Sequence, residues 1–176
     1  MTPDDPAGPP TMGVESISTT VTVDASVERV FDVLADPANH PAIDGTGRVR
    51  ESLDQERITA VGQVFRVDMS HENHPDGTYR MSNLVIVFDR PRAIGWKPGY
   101  VSQETGELEF GGWVWRYDLT PLGPDRAEVM LTYDWSGVGP GPREYLSFPP
   151  FPVSHFGDSL RHLAELVTGR AGDHRP

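Results

Sequence analysis

The chain has 176 residues, of which 37% are apolar, so it is long enough to form one domain with a hydrophobic core. Its formal net charge is −11 and Lys97 is its only lysine, which argues against a surface that binds nucleic acid. The absence of cysteine excludes disulfides, thiol catalysis and thiolate metal sites.

The two ends of the chain differ in composition from the part between them. Residues 1–13 are rich in proline and lack the basic and apolar segments of a signal peptide. The sequence also lacks an apolar run of about 18 residues, the length typical of a membrane span. We therefore expect a cytoplasmic protein without a membrane span, with a flexible lead-in at residues 1–13, one domain at residues 14–169 and a frayed tail at residues 170–176.

Hydrophobic periodicity predicts one strand and two short helices at the start of the domain. In Val14–Asp24, β-branched residues alternate with polar ones, which is typical of a strand. The next apolar residues, from Val27 to Leu34, recur at helical spacing, and Ser26 can cap that helix. A second short helix is predicted for Pro37–Ile43.

The middle of the chain is predicted to consist mainly of strands joined by short turns, which favours antiparallel neighbours. The predicted strands are Arg48–Leu53, Gln63–Ser70, Tyr79–Phe88, Ala93–Trp96, Glu109–Thr120 and Arg126–Ser136. From Val153, apolar residues again recur at helical spacing, and Gly169 can end this last helix.

This order of elements predicts an α+β fold. A curved antiparallel sheet of about seven strands wraps around the long C-terminal helix, because an apolar sheet face must be covered. One long helix is too little to cover the whole sheet. We therefore expect a space between the sheet and the two short helices, where a ligand site would form.

Four segments carry a resemblance to a known superfamily. They are Asp24–Phe31, Ala35–His40, Arg90–Trp96 and Trp115–Pro121. With these segments the chain resembles the polyketide cyclase/START (SRPBCC) superfamily, which shares the helix-grip fold of the Bet v 1 allergens. The resemblance implies an internal cavity for an apolar molecule such as a lipid or a polyketide. It does not imply one chemistry, because carriers, sensors and enzymes share the fold, and it carries over no catalytic residue set.

Aromatic residues of two neighbouring predicted strands indicate a wall for this cavity. Trp113, Trp115 and Tyr117 have like parity and point the same way, as do Tyr133 and Trp135. Packed across the strands, they would form either a surface for a planar ligand or an ordinary core. The predicted ligand-binding residues are Trp113, Trp115, Tyr133, Trp135, Asn83, Phe151 and Phe156.

Asn83 is part of this set because it lies beside the apolar run Leu84–Phe88. A buried asparagine needs partners, which a ligand or water in the cavity would supply. Both parities of this predicted strand are partly apolar, so the sequence leaves open whether Asn83 faces the cavity or the solvent.

Three residues are candidates for acid/base chemistry: His40, Asp44 and His155. His40 and Asp44 are four residues apart, so on a helix they lie on one side, and the carboxylate would make the imidazole a general base. Alternatively, Asp44 only turns the chain before Gly45. His155 would reach a ligand from the start of the last helix, or else lie on an ordinary helix flank.

The segment His71–His74 contains two histidines but lies in a predicted turn, which offers no fixed ligand geometry and no third ligand. We expect a solvated hairpin end here, with no metal site and no cofactor.

The sequence thus supports two hypotheses about function. In the first, the protein binds an apolar or aromatic small molecule, lipid- or polyketide-like, in an internal cavity. In the second, it is an enzyme of the cyclase/dehydratase type in which a cavity histidine moves protons. The hydrophobic small molecule is the partner that both imply, and monomer and homodimer stay open.

Overall fold

Nine antiparallel strands form one curved sheet in the computed structural model, which describes residues 11–12, 15–45, 49–54, 56–70, 78–144 and 146–169. The strands are β1 (Thr11–Met12), β2 (Ser16–Val23), β3 (Val49–Ser52), β4 (Val64–Ser70), β5 (Thr78–Asp89), β6 (Ala93–Val101), β7 (Leu108–Phe110), β8 (Val114–Gly123) and β9 (Arg126–Asp134). Their order in the sheet is β1-β2-β9-β8-β6-β5-β4-β3, and β7 pairs with β6. Without the two-residue β1 and the three-residue β7, seven strands remain, as the sequence predicts.

Four helices and one 3₁₀ turn accompany the sheet among the described residues. They are α1 (Val27–Leu34), the 3₁₀ turn (Pro37–Asn39), α2 (His40–Ile43), α3 (Pro140–Arg143) and α4 (Ser154–Thr168). The Ser26 hydroxyl accepts a hydrogen bond from the Arg29 N–H at 3.2 Å and so begins α1. Gly169 has φ +78° and ends α4, because a left-handed residue at this position favours glycine. The predicted helix-grip fold is confirmed.

The long helix α4 covers the inner face of the sheet only toward the end that contains β2 and β9. It packs over β2 and β9 and against α1 and α2. Its buried side chains are Phe156, Ser159, Leu160, Leu163 and Val167. In β2 every second residue is buried, beginning with Ile17, because side chains of like parity face the helix. Burial of each large apolar side chain contributes about 1.5–3 kcal/mol, so this contact holds the sheet around the helix.

The predicted strand Glu109–Thr120 is wrong as one element. It is divided into β7 and β8 by Gly111 and Gly112, and Trp113 lies just before β8 rather than within it. Gly112 has φ +104°, and a Cβ there would collide with the backbone of Gly137 and Val138. A glycine in this conformation interrupts the ladder and lets the two segments approach closely.

Strand β6 is longer than the predicted Ala93–Trp96 because it continues through Pro98 to Val101. Pro98 lies where β6 exchanges one neighbour for another: Trp96 pairs with Trp115 of β8, and Gly99 pairs with Phe110 of β7. A proline is tolerated at this point because its missing N–H falls between the two ladders.

Some sequence predictions fall outside the described residues. They concern residues 1–10, 13 and 14, the whole tail at 170–176 and the His71–His74 segment. Within the ranges that are described, the helices are all too short or too polar to span a membrane.

The chain after α2 packs directly on the first turns of α4. The Gly45 N–H donates a hydrogen bond to the Ser159 hydroxyl at 2.7 Å, and Nδ1–H of His162 donates to the Ile43 carbonyl oxygen at 3.2 Å. A Cβ on Gly45 would lie 2.7 Å from the Ser159 nitrogen and closer still to the His155 carbonyl oxygen. These contacts fix α2 relative to α4.

We predict that Gly45→Ala destabilises the protein by about 1–3 kcal/mol, because backbone atoms of α4 cannot move aside and the hydrogen bond to Ser159 is lost. Urea denaturation measures the change in the free energy of unfolding. Gly141→Ala is the matched control, since a Cβ at Gly141 meets nothing within 4 Å. Equal denaturation midpoints for the two variants would contradict the close packing of this junction.

Candidate functional site

Two adjoining groups of aromatic side chains lie on or over the inner face of the sheet. The first, here the C-terminal aromatic cluster, consists of Trp113, Trp115, Tyr133, Trp135, Phe148, Phe151 and Phe156. The second, here the His40 cluster, consists of His40, Phe65, Trp96 and Tyr117. The two meet where Trp96 of β6 pairs with Trp115 of β8.

The C-terminal aromatic cluster contains six of the seven predicted ligand-binding residues. Trp115 pairs with Tyr133 across β8 and β9, with ring centroids 4.6 Å apart, and Phe151 stacks on Trp115 at 5.6 Å. Phe148 closes the other end, 6.2 Å from Trp113 and 6.4 Å from Trp135. These rings therefore already have aromatic neighbours in the protein, although Trp113, Trp115 and Phe151 stay only half-buried.

The His40 cluster lies on the other side of Trp115. The His40 ring stacks on Trp96 at 5.0 Å with an interplanar angle of 17°, and it meets the edge of Phe65 at 5.2 Å. Trp96 in turn lies 6.1 Å from Tyr117. Because His40 is the first residue of α2, the contacts that fix α2 on α4 also hold this imidazole over the strands.

The hydrogen bond of His40 defines its tautomer. Nε2–H donates to the Leu34 carbonyl oxygen at 2.8 Å, so Nδ1 carries the lone pair of the neutral ring. Burial lowers the pKa of His40, and this effect outweighs the opposite influences of the Leu34 hydrogen bond and the Asp36 charge. The imidazole is therefore neutral at physiological pH, with Nδ1 able to accept a proton or a hydrogen bond.

Asp44 lies elsewhere than in a dyad with His40. Its Oδ2 accepts a hydrogen bond from the Val49 N–H at 3.0 Å and so closes the connection from α2 to β3. Its charge acts on a different ring: burial, and then the nearby Asp44 carboxylate, raise the pKa of Tyr117. The Tyr117 hydroxyl thus keeps its proton. Of the two predicted partners, His40 lies in the cluster and Asp44 lies at its edge.

The strand register settles which way Asn83 faces. Asn83 lies opposite Phe65 on β4 and Pro98 on β6, and all three are buried. Directly opposite residues share a face, so Asn83 points inward. A bulge between Val85 and Val87 reverses the parity, which brings Phe88 inward as well. This reversal explains why both parities of the strand are partly apolar.

Polar side chains lie among the apolar ones on the inner face. The residues His40, Asn83, Tyr117 and Tyr133 are at most 9% exposed. Among the described residues, the side-chain atoms that are fully buried without a hydrogen-bond partner are Thr19 Oγ1 and His155 Nδ1. Since buried polar groups are normally hydrogen-bonded to protein or to water, such side chains are unusual in a purely apolar core.

His155 lies beside the C-terminal aromatic cluster. Its ring stacks on Phe151 at 6.1 Å, and its buried Nδ1 has no hydrogen-bond partner among the described residues. The other histidine of α4, His162, donates its hydrogen bond to the Ile43 carbonyl oxygen at the contact between α2 and α4. Across the described ranges, three metal-ligating side chains do not come together anywhere.

The sequence did not predict Phe65 and Trp96 as site residues, although both rings contact His40 and each other. The signal for Phe65 was the alternation of apolar and charged residues in Val64–Ser70, which places Phe65 and Val67 on one face. Trp96 could not be assigned, because its inward direction depends on the register with Trp115.

Comparisons with known proteins support the fold. No family model matches the chain. Protein Rv0088 of Mycobacterium tuberculosis is 27% identical over 127 residues, which cover 72% of this chain and 50% of that protein. The chain thus spans about half the length of the curated relatives it matches.

Two solved structures share the architecture over nearly their whole length. Protein Ms6760 from Mycobacterium smegmatis has a TM-score of 0.62 at 13% identity, covering 96% of this chain and 100% of that one. A point mutant of norcoclaurine synthase from Thalictrum flavum, in complex with a transition-state analogue, has a TM-score of 0.58 at 15% identity, covering 89% and 96%. At these identities the likeness shows the fold alone, which is of the helix-grip type.

The lowered pKa of His40 gives a testable pH dependence. The unfolded chain takes up a proton on this histidine near its ordinary pKa of about 6.5, whereas the folded chain does not until lower pH. The free energy of unfolding therefore falls as the pH decreases through that range. His40→Phe cannot titrate, so we predict that its stability falls less between about pH 7 and about pH 5.

The same variant should be less stable than the wild type at neutral pH by about 1–3 kcal/mol, because the Leu34 carbonyl loses its donor. Urea denaturation at both pH values measures the two effects. Stability curves that run parallel from neutral to acid pH would show that His40 is not held neutral.

Proposed function

We propose that this protein binds an apolar, aromatic small molecule between the inner face of the sheet and α2, across Trp96 and Trp115. The observation that carries this proposal is the placement of the buried polar side chains His40 and Asn83 on the same inner face as the aromatic rings of Trp96 and Trp115, which stay half-buried. In an ordinary core, by contrast, polar groups are paired and side chains are fully packed.

Incomplete cover of the inner face supports an interior site. Helix α4 lies over β2 and β9, whereas β3, β4 and β5 are on the far side of the sheet. Their inward-facing apolar side chains Val49, Met69 and Met81 are only partly buried. A small molecule over these strands would remove apolar surface from water, at about 25 cal/mol per Å².

The fold supports the same class of function by analogy. Norcoclaurine synthase, solved with a transition-state analogue, shares the architecture of this chain. The motif resemblance to the polyketide cyclase/START superfamily extends the analogy to polyketide- and lipid-like molecules. Because one fold hosts many functions, the analogy supports a small-molecule site and leaves its chemistry to the residues that line it.

The neutral His40 ring favours one second candidate, an enzyme that moves a proton. Nδ1 of His40 is an unprotonated base in an apolar setting, and the Tyr117 hydroxyl keeps its proton as an acid. Such a pair would take a proton from a carbon next to a ketone and stabilise the resulting enolate by hydrogen bonding. This is the chemistry that a cyclase of the predicted type requires.

Binding of the neutral dye N-phenyl-1-naphthylamine tests the first proposal. We predict that the dye becomes more emissive when it binds, and titration with protein gives its dissociation constant. Trp96→Phe should weaken dye binding, because Trp96 lies at the site. Trp113→Phe is the matched control, since Trp113 packs on Phe148 at the other end of the aromatic row and its replacement should leave the dissociation constant nearly unchanged.

Two outcomes would argue against this site. If the dye's emission stays unchanged at saturating protein, no apolar site is open to it. If Trp113→Phe weakens dye binding as much as Trp96→Phe does, the site lies at the C-terminal aromatic cluster instead.

The enzyme hypothesis has a separate test in proton exchange. We predict that the wild type accelerates exchange of the α-protons of 2-tetralone for deuterium in heavy water, as followed by NMR. His40 takes the proton from carbon, and a deuteron from solvent is returned to the same carbon, so no other reactant is needed. Exchange that is equally fast with wild type and with His40→Phe would exclude His40 as the base.

A further inference from the structure

We propose that the ligand is uncharged and carries a hydroxyl group, and that the site discriminates against carboxylates and other anions. This inference rests on the proposed function, because it concerns the same site between the sheet and α2. It narrows the lipid- and polyketide-like molecules to those with a neutral polar end.

Among the described residues, the positive charges lie where they cannot pair with a buried anion. Every arginine in the described ranges is solvent-exposed. Those on the strands near the site point away from it and pair with acids on the outer face: Arg66 with Asp54, Arg80 with Asp68, and Arg116 with Asp118. Lys97 follows Trp96 in β6, so it points outward, where its ammonium lies 4.2 Å from the Phe110 ring centroid.

The charges that act on the rings of the site have the wrong sign for an anion. Asp44 is close enough to Tyr117 to raise the pKa of its hydroxyl, and the Asp36 charge acts on His40. A carboxylate ligand would therefore enter an apolar space with no cation from the described residues and with carboxylates at its edge. Burying an unpaired charge is strongly unfavourable.

The hydrogen-bonding groups at the site fit a hydroxyl. Nδ1 of the neutral His40 accepts, because the proton of the ring is on Nε2 and bonded to Leu34. The Tyr117 hydroxyl donates, and the amide of Asn83 both donates and accepts. A phenolic or alcoholic hydroxyl gives one hydrogen and accepts others, so it matches an acceptor such as Nδ1 of His40 as well as a donor such as the Tyr117 hydroxyl.

Three naphthalenes of nearly equal size test this inference: 2-naphthol, 2-naphthoate and 2-methylnaphthalene. Calorimetry at neutral pH measures their dissociation constants with the wild type. We expect 2-naphthol to bind at least about ten-fold more tightly than 2-naphthoate, since an unpaired buried charge costs more than the 1.4 kcal/mol that a ten-fold ratio represents.

The variant Asn83→Leu separates the hydroxyl from the apolar ring. It keeps the size of the side chain and removes both the amide oxygen and the amide nitrogen. The ratio by which 2-naphthol binds more tightly than 2-methylnaphthalene, here the advantage of 2-naphthol, should therefore shrink, while 2-methylnaphthalene still binds. Ser102→Ala is a control in the exposed turn after β6, where the Ser102 hydroxyl accepts hydrogen bonds from the Glu104 and Thr105 N–H groups. It should leave the advantage unchanged.

The outcomes distinguish this inference from the function on which it rests. If 2-naphthoate binds as tightly as 2-naphthol or more tightly, the inference is wrong and the apolar site stands. If Asn83→Leu leaves the advantage of 2-naphthol intact, the assignment of the hydroxyl to this end of the site is wrong. If none of the three compounds binds, the proposed function fails and this inference fails with it.

Discussion

A curved sheet of this size needs cover for its inner face, and the described chain offers only one helix of more than three turns to provide it. Because α4 lies over β2 and β9, the strands beyond β8 are covered by the shorter α1, whose Phe31 packs on Phe88 of β5, and by α2 with the ring of His40. The position of α2 in turn depends on the close approach of Gly45 to α4, which no larger residue would permit. The proposed interior site therefore follows from a shortage of helix over the strands farthest from α4.

The titratable groups of the proposed site are held neutral by the same physical cause, which is burial. Burial lowers the pKa of His40 and raises the pKa of Tyr117, so each is held in its neutral form. The charged side chains of the neighbouring strands alternate to the outer face, where they pair with one another in water and add little stability. The proposed site is therefore apolar and has neutral hydrogen-bond donors and acceptors, which favours ligands that are apolar and uncharged. Binding and proton transfer would both use this setting.

The sequence predicted those parts of the fold that depend on local periodicity. Helices α1 and α4 and strand β2 follow from residue spacing alone, as does the inward direction of Tyr133. The direction of Asn83 did not, because a bulge in β5 reverses the parity within one strand. The pairing of His40 with Trp96 and Phe65 joins three elements distant in sequence, and a helical spacing of four pointed instead to Asp44. Long-range register, rather than residue type, limited the prediction of the site.

The proposed site requires that Nδ1 of His40 is available to accept a hydrogen bond from the ligand. Nitrogen-15 NMR of the histidine rings, with and without 2-naphthol, measures the protonation and hydrogen bonding of this nitrogen. We expect a neutral His40 ring with its proton on Nε2, as its hydrogen bond to Leu34 indicates, and a strong shift of the Nδ1 resonance toward the hydrogen-bonded value when the compound binds. A His40 ring protonated on both nitrogens at neutral pH, or a bound compound that leaves Nδ1 unchanged, would show that His40 does not bind the ligand in this way.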